Sequence, residues 1–527
     1  MKRDVAALSA THLDLLVCGG GIYGAWTAYD AALRGLKVAL VEQGDWAGAT
    51  SSASSKLIHG GLRYLESFDF KLVKKALTER GMLLEAAPHR VWPLRFGVPI
   101  YADSRIYRLQ LKAGLMLYDL LARIPDAGMR HRYFSRTKFA QRFSALAQNG
   151  LRGGFTYADA QTDDARFVLE LVAGAMAAGA VCVNHCELVA LNEMNGKVSG
   201  ATVQDRVSGE IRHVQARQAV NTTGQWLTAT EESRAWCRLS KGVHLILPTM
   251  LGEEALLLTA KSDGRVFFMI PWYGLTLVGT TDTDYRGDIE HVAVEKADVD
   301  YLLREVNHYL STQWTERDVI GSYAGVRVMR QSDAASPSAV SRDWELKTSG
   351  NGVFYSVGGK LTSAREDAAV IVDAVCGQLG LDVPCRTKGY AFPWAPDDFA
   401  AWSIALVEQA LKLNIDAECS KWLIRRHGKR ASDILRDVEN DAALAERIVP
   451  ALPFIYADLL FCAREEMVVH LEDLLRRRVP LLILAKLTES ELEQIAQRVS
   501  AVLGWDDARV TQEMAIVLQH ASDNTSV

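Results

Sequence analysis

The segment Gly19-Gly20-Gly21-Ile22-Tyr23-Gly24 constrains this chain more than any other. It follows a short apolar run, LDLLVC at 13–18, that reads as a buried parallel strand. It opens a stretch of apolar and small residues, Ile22 to Leu33, that suits a helix. A second strand is expected at 37–42 (KVALVE). GxGxxG alone is a weak signal. Between a strand and a helix, in a βαβ unit whose second strand ends on an acid 18 residues after Gly24, it is the dinucleotide fingerprint. Gly19 allows the tight turn, Gly21 lets the backbone approach a pyrophosphate, and Gly24 lets the helix pack on the strand. The helix N-terminus offers unpaired N–H groups and a positive dipole end to the phosphates. Glu42 can accept a hydrogen bond from a ribose hydroxyl, which disfavours a 2′-phosphate and hence NADP.

The rest of the chain sets limits. Its 527 residues, 49% hydrophobic and 23% charged, are ordinary for a globular protein, and a net charge of −5 argues against a nucleic-acid binder. No run of about 18 apolar residues is present, so no spanning helix is expected. The N-terminus has no continuous apolar region before Asp14, so no secretory leader is expected. Eight scattered cysteines without CxxC make no disulfide framework and no metal site; the closest pair, Cys182 and Cys186, reads as small core residues. The expected location is reducing, in the cytoplasm or on its side of a membrane.

Strand-like pieces at 181–192, 197–204 and 211–220 form a small meander. Residues 265–280 read as a hairpin turning at Tyr273-Gly274. Residues 381–398 hold three prolines and little periodicity, which marks a linker. Beyond 399 only helical patterns appear. Residues 1–380 are therefore expected as one unit. Residues 399–527 form a helical C-terminal domain.

FAD and NAD share the fingerprint. The Ser/Gly-rich segment TSSASSKLIHGG (50–61) follows the second strand closely, where flavoproteins of the glutathione-reductase-like clan run their chain along the flavin. From SSASSKLIHGGLRYLE (51–66) onward the chain resembles the FAD-dependent, quinone-linked glycerol-3-phosphate dehydrogenases. The resemblance continues through GFTYADAQTDDARFVL (154–169), VNTTGQW (220–226), KGVHLILP (241–248), IPWYGLTLVGTTDTDYRGD (270–288), YAGVRV (323–328) and SVGGKLTSAR (356–365). It is strong over about 13–380 and weaker over 399–527, where Asp473…Arg476-Arg477 carries it.

The resemblance implies an α/β fold: an FAD-binding Rossmann-like domain of the glutathione-reductase-like clan with cofactor-binding segments at about 13–90, 150–235 and 345–380, an antiparallel-sheet substrate domain with segments at about 91–149 and 236–344, and an all-α C-terminal cap. It places Gly19, Gly21, Gly24 and Glu42 at the FAD pyrophosphate and ribose. Ser51, Ser52, Ser54, Lys56, Leu57, His59, Gly60 and Gly61 match the flavin-lining loop, and Thr223 and Gly224 a second contact on the ADP part. Gly358, Gly359, Lys360, Leu361 and Thr362 match the turn at the flavin ring. It further implies oxidation of sn-glycerol 3-phosphate to dihydroxyacetone phosphate, with electrons passing to a quinone. Arg63, Arg327 and Lys360 are the expected substrate cations, with Tyr64, His59 and His244 nearby. Guanidinium suits phosphate because its planar fork bonds bidentately. His59 or His244 is the expected base, since arginine is almost never deprotonated.

The chain departs from the family pattern at Tyr23 and Trp26 (Asn, Gly), Val243 (Ser), Val328-Met329 (Pro-Leu), Thr222 (Ala) and Gln225 (Pro). An FAD oxidoreductase or oxidase acting on another polyol phosphate or a small 2-hydroxy or amino compound is the alternative. A flavin-binding scaffold is disfavoured by the retained cations. The resemblance implies peripheral association with one leaflet, on the cytoplasmic side of an inner membrane, and the first choice for it is 105–123 with its basic run to Lys138, whose apolar face includes Leu115, Met116, Leu117 and Leu120. Arg425, Arg426, Lys429 and Arg430, and Arg476 to Arg478, are further candidates. A homodimer is left open.

Overall fold

The computed structural model describes residues 1–65, 68–105, 107–122, 127–229, 231–332 and 343–524. Arg123 of the basic run, Glu66 of the flavin-loop string and 333–342 of the substrate segment lie outside the described residues. The N-terminal unit forms as expected: β1 (Leu13–Cys18), α1 (Ile22–Leu33) and β2 (Val38–Val41). β1 lies between β2 and the strand Ile211–Asn221, parallel to both. Its near-continuous apolar run has a physical reason, because both faces are covered. Leu15 and Val17 pack with Trp26 of α1, while Leu13, Leu16 and Cys18 pack with Val203 and Val214 of the meander. Phe354–Val357 and Glu345–Thr348 extend this sheet on one side and Val181–Val183 on the other.

A second, largely antiparallel sheet holds the expected hairpin, Val266–Trp272 with Leu275–Gly279, turned through Tyr273 and Gly274, both with positive φ. One boundary moves. The strand Leu151–Thr162, expected within the cofactor segment 150–235, pairs antiparallel with Val91–Tyr101 in this second sheet. Its polar residues are buried with partners, which hides its place from a local reading. Asp159 receives Arg80 at 2.5 Å and Tyr118 at 2.7 Å, and Gln161 is bonded by Trp92 at 3.1 Å.

The helices α2 (Phe70–Ala86) and α3 (Arg108–Ala122) flank this sheet. On α3, Leu115 is buried rather than part of an outer face. The exposed stripe is instead Leu109 (77%), Met116 and Leu120 (73%), beside Arg108 and Lys112.

From Phe399 to Asn524 the described elements are helical. Two of the candidate basic runs prove largely internal, with Lys429 exposed and Arg476 half-buried. Arg426 is fully buried against Asp458, Arg430 bonds Glu466 at 3.0 Å, and Arg425 lies over the rings of Trp92 and Trp422. Arg477 and Arg478 are buried on Asp45. The C-terminal domain is docked by such pairs. Arg166, on the helix Asp164–Ala177, meets Glu466 at 2.8 Å with both side chains fully buried. Arg90 and His89 meet Glu170 at 2.9 and 3.0 Å, and Arg90 also donates to the carbonyls of Arg425 and Arg426. All eight cysteines are free thiols; Cys182 and Cys186 are core residues, and burial pushes the Cys186 thiol up to about 12.

Burial alone would raise Glu466 and Glu170, yet Arg166 with Arg430, and His89 with Arg90, hold each carboxyl at about 2. Both lie below the unfolded value of about 4.3. Their stabilisation is therefore present above that value and lost as the pH falls from about 4.5 towards 2. Arg166→Ala, which strands Glu466, should cost about 3–5 kcal/mol in equilibrium denaturation at neutral pH. A loss below about 1 kcal/mol would show that the pair does not hold the domains together.

Candidate cofactor and substrate site

A cavity of about 1150 Å³ opens at the carboxyl end of β1 and runs between the two sheets. Its floor is the Gly19–Ile22 turn. Gly19 has φ +105°, and a Cβ there would come within 2.8 Å of the Thr222 backbone. A Cβ on Gly24 would sit 1.8 Å from the Gly19 carbonyl oxygen, so this glycine serves helix–strand packing and is not itself a wall. Ser51 Oγ accepts from the Ile22 amide at 2.9 Å, fixing the Ser-rich loop over the helix start. Glu42 accepts from Gly20 at 2.6 Å and Gly44 at 2.8 Å; burial pushes its carboxyl up while these amides pull it down. A phosphate-cradling turn, a carboxylate at the end of β2 and a long cavity beyond both fit a dinucleotide.

Of the expected contacts, Gly19, Gly21, Glu42, Ser51, Ser54, Leu57, His59, Thr223, Gly224 and the whole Gly358–Thr362 turn line this cavity. Tyr64, Arg327 and Lys360 join them. Lys360 Nζ lies 4.0 Å from the centre of the Tyr64 ring. Arg327 donates to Thr280 Oγ1 at 2.7 Å and the Thr281 carbonyl at 3.2 Å, with Asp282 at 3.6 Å. Its guanidinium occupies the space of a missing side chain, since a Cβ on Gly242 would lie 2.3 Å from it. Gly242 pairs across the strands with Gly325, where a Cβ would meet Ala53 at 2.7 Å. His59 is tied to the ring-side turn, its amide donating to Thr362 Oγ1 at 3.1 Å.

Other expected residues stand elsewhere. Lys56 turns away from the cavity and is buried on Asp164 at 2.6 Å. Ser52 is not a wall; its carbonyl receives Lys56 at 3.1 Å. Gly60 packs on Leu77 and Tyr118, and Gly61, with φ +74°, makes room for the Tyr64 ring. Arg63 lies 5.1 Å from the Tyr64 ring centre, outside the cavity wall. His244 sits behind the wall: Nε2 is 2.8 Å from Ser55 Oγ, and the ring stacks on Tyr323. Burial, with Arg327 and Lys56 close by, holds it well below the ordinary imidazole value, so it stays neutral and makes a poor proton acceptor.

The family departures sort the same way. Val243 is core, while Val328 and Met329 reach the cavity. Trp26 is buried among Tyr29, Phe167 and Phe392, away from the turn. Tyr23 forms part of the cavity wall, where its hydroxyl donates to Asp367 at 2.7 Å and accepts from the Lys360 amide at 3.0 Å. Sequence reasoning misses Ser55 as a wall, although it lies inside the 51–66 string. It also misses the walls given by the C-terminal helices, although two of them, Asp473 and Arg477, belong to the pattern that carries the resemblance there.

The family model for FAD dependent oxidoreductases matches residues 14–365, and that for the C-terminal domain of alpha-glycerophosphate oxidase matches 385–510. A glycerol-3-phosphate dehydrogenase of Synechocystis sp. is 35% identical over 99% of this chain and 98% of its own length. The chain belongs to the FAD-dependent glycerol-3-phosphate dehydrogenase family. The aerobic glycerol-3-phosphate dehydrogenase of Bacillus subtilis is 33% identical, over 91% of this chain and 89% of that one. The Bacillus halodurans glycerol-3-phosphate dehydrogenase, a structure complexed with FAD, superposes with TM-score 0.80 at 28% identity, covering 99% of this chain and 96% of that chain. The cofactor of this family is FAD, and the cavity's fingerprint, ribose acid and ring-side turn are the residues that fit it.

Tyr23 couples the pyrophosphate helix to the turn that carries Lys360. Tyr23→Phe should leave FAD bound but lower thermal stability by about 1 kcal/mol, the value of a buried hydrogen bond. It should also raise the substrate KM. An unchanged KM would show that the hydroxyl does not position Lys360.

Proposed function

We propose that this enzyme oxidises sn-glycerol 3-phosphate to dihydroxyacetone phosphate and passes the electrons to a quinone at a membrane surface. FAD, when bound, supplies the acceptor for the substrate's hydride. The observation that carries the reading is the meeting of Arg327, Lys360 and His59 around one cavity. Two cations from different strands and turns suit a phosphate dianion, one as a planar fork and one as a point charge. Arg327 is oriented before any substrate arrives by Thr280, the Thr281 carbonyl and Asp282, so little ordering is left to binding. His59 takes the hydroxyl proton in this reading: it lines the cavity, whereas His244 is neutral behind Ser55. The Tyr64 ring sits beside the Lys360 ammonium, a cation–π contact that helps hold it in place.

The membrane half of the proposal is supported by the Leu109–Met116–Leu120 stripe with Arg108 and Lys112 beside it. Such a face lies in an anionic interface without crossing it. No helix among the described residues is long and apolar enough to span. An apolar groove of about 790 Å³, lined by Leu84, Trp92, Phe399, Ile404 and Val407, opens beside the end of α3 and suits a quinone drawn from the lipid.

Anaerobic mixing with millimolar glycerol 3-phosphate should bleach the flavin absorbance; no bleaching would sink the reading. Arg327→Ala should keep FAD but lose bleaching, with partial recovery in Arg327→Lys. Reduction at the wild-type rate would refute the role of Arg327. Liposomes containing anionic lipid should float the protein, and Leu109→Gln/Leu120→Gln should abolish flotation. A wild-type chain that stays at the bottom of the gradient would refute the membrane surface.

A further inference from the structure

The cavity does not end at the ribose acid. A dinucleotide with its pyrophosphate over Gly19–Ile22 and its ribose at Glu42 carries its adenine beyond the carboxyl end of β2. The wall there has two halves. One comes from the first sheet, Asp45 and the run His185–Leu191. The other comes from the C-terminal helices: His470, Glu472, Asp473, Arg477, Ile516 and His520.

A buried charge network closes the seam between these halves. The Asp45 carboxylate, fully buried, receives Arg477 Nε at 2.5 Å and Arg478 Nη2 at 2.8 Å. Arg477 also donates to Asp473 at 2.8 Å. Asp473 in turn lies 3.0 Å from His185 Nε2 and accepts the amides of Val469 and His470. The His185 and His470 rings meet edge to face at 4.8 Å. Asp45 stands three residues after Glu42 in the same turn, whose Ala47 amide bonds the Gly20 carbonyl at 3.1 Å. One turn therefore holds the ribose acid, the pyrophosphate loop and the anchor of the C-terminal domain.

We propose that the C-terminal domain is a latch on the FAD site: it forms the outer wall of the adenosine seat, and its docking on Asp45 sets how slowly FAD leaves. Breaking the Asp45 network lets this wall move off and opens the adenine end to solvent. The flavin half, enclosed by the two sheets, is left as it was. The proposal rests on FAD as the cofactor and adds residues beyond the fingerprint to its binding.

The test uses full-length apoprotein and two ligands, FAD and FMN, the second lacking the adenosine. Arg478→Met removes one anchor without touching the cavity wall. It should raise the FAD dissociation rate about tenfold and leave FMN affinity unchanged. Ile516→Trp, on a half-exposed helix face that tolerates the change, should fill the seat and weaken FAD about tenfold with FMN again unchanged. It carries the test if Arg478→Met fails to fold. Arg464→Ala, which breaks an ion pair with Asp437 inside the C-terminal domain, should alter neither ligand. Unchanged FAD binding in folded variants overturns the latch, and so does equal weakening of FAD and FMN. A wild-type chain that takes up no FAD would instead overturn the cofactor assignment.

Discussion

The buried pair Lys56–Asp164 underlies the site. Both side chains are out of water, and the ammonium sits 2.6 Å from one carboxylate oxygen and 4.5 Å from the centre of the Trp272 ring. The other carboxylate oxygen holds the amide and hydroxyl of Ser54 at 3.1 and 2.7 Å. Burial pushes Asp164 up and Lys56 opposes it, so the buried carboxylate depends on the ammonium beside it. Lys56 adopts φ +58°, a backbone state a lysine holds only when its surroundings impose it. Ser51, Leu57 and His59 reach the cavity because this pair pins the loop between the sheets. Thr50 and Tyr323 then clip the same loop to the strand that carries Arg327, at 2.6 and 2.7 Å.

The same logic of buried charge explains how the C-terminal helices attach. Removing a guanidinium and a carboxylate from water costs several kcal/mol each, recovered only in good geometry with every donor met. Arg166 illustrates it, with Glu466 and the Arg426 carbonyl on one fork. Such interfaces are specific, because any slip strands a charge. They also give basic runs in the sequence a meaning opposite to the obvious one. Arg426, Arg477 and Arg478 look like a membrane face along the chain and are buried in the fold.

Much of the fold is legible in the sequence because it is local. The helix starting after Gly21 follows from the apolar and small residues 22–33 and ends where that pattern ends. The hairpin at Tyr273-Gly274 follows from its turn residues. Pairing at a distance is not legible in this way. The strand 151–162 falls in the wrong sheet on a local reading, because its buried polar residues have partners far off in sequence. Lys56 looks like a flavin contact because a motif string carries order and not side-chain direction. The family resemblance points to Arg327, Lys360 and His59, which do meet around one cavity, yet it does not reveal that His244 stands a layer behind them.

Gly242 and Gly325 face each other across two strands, and neither is needed for a turn. Their missing side chains are a mould: one side is filled by the Arg327 guanidinium, the other by Ala53 of the Ser-rich loop. A chain that keeps the fork where it stands must keep Gly242, because even a methyl group there would displace the guanidinium. Positions 242 and 327 are therefore tied to each other across the sheet. A descendant that lost the arginine would be released from the glycine at once, and a side chain appearing in the middle of that strand would be the visible trace.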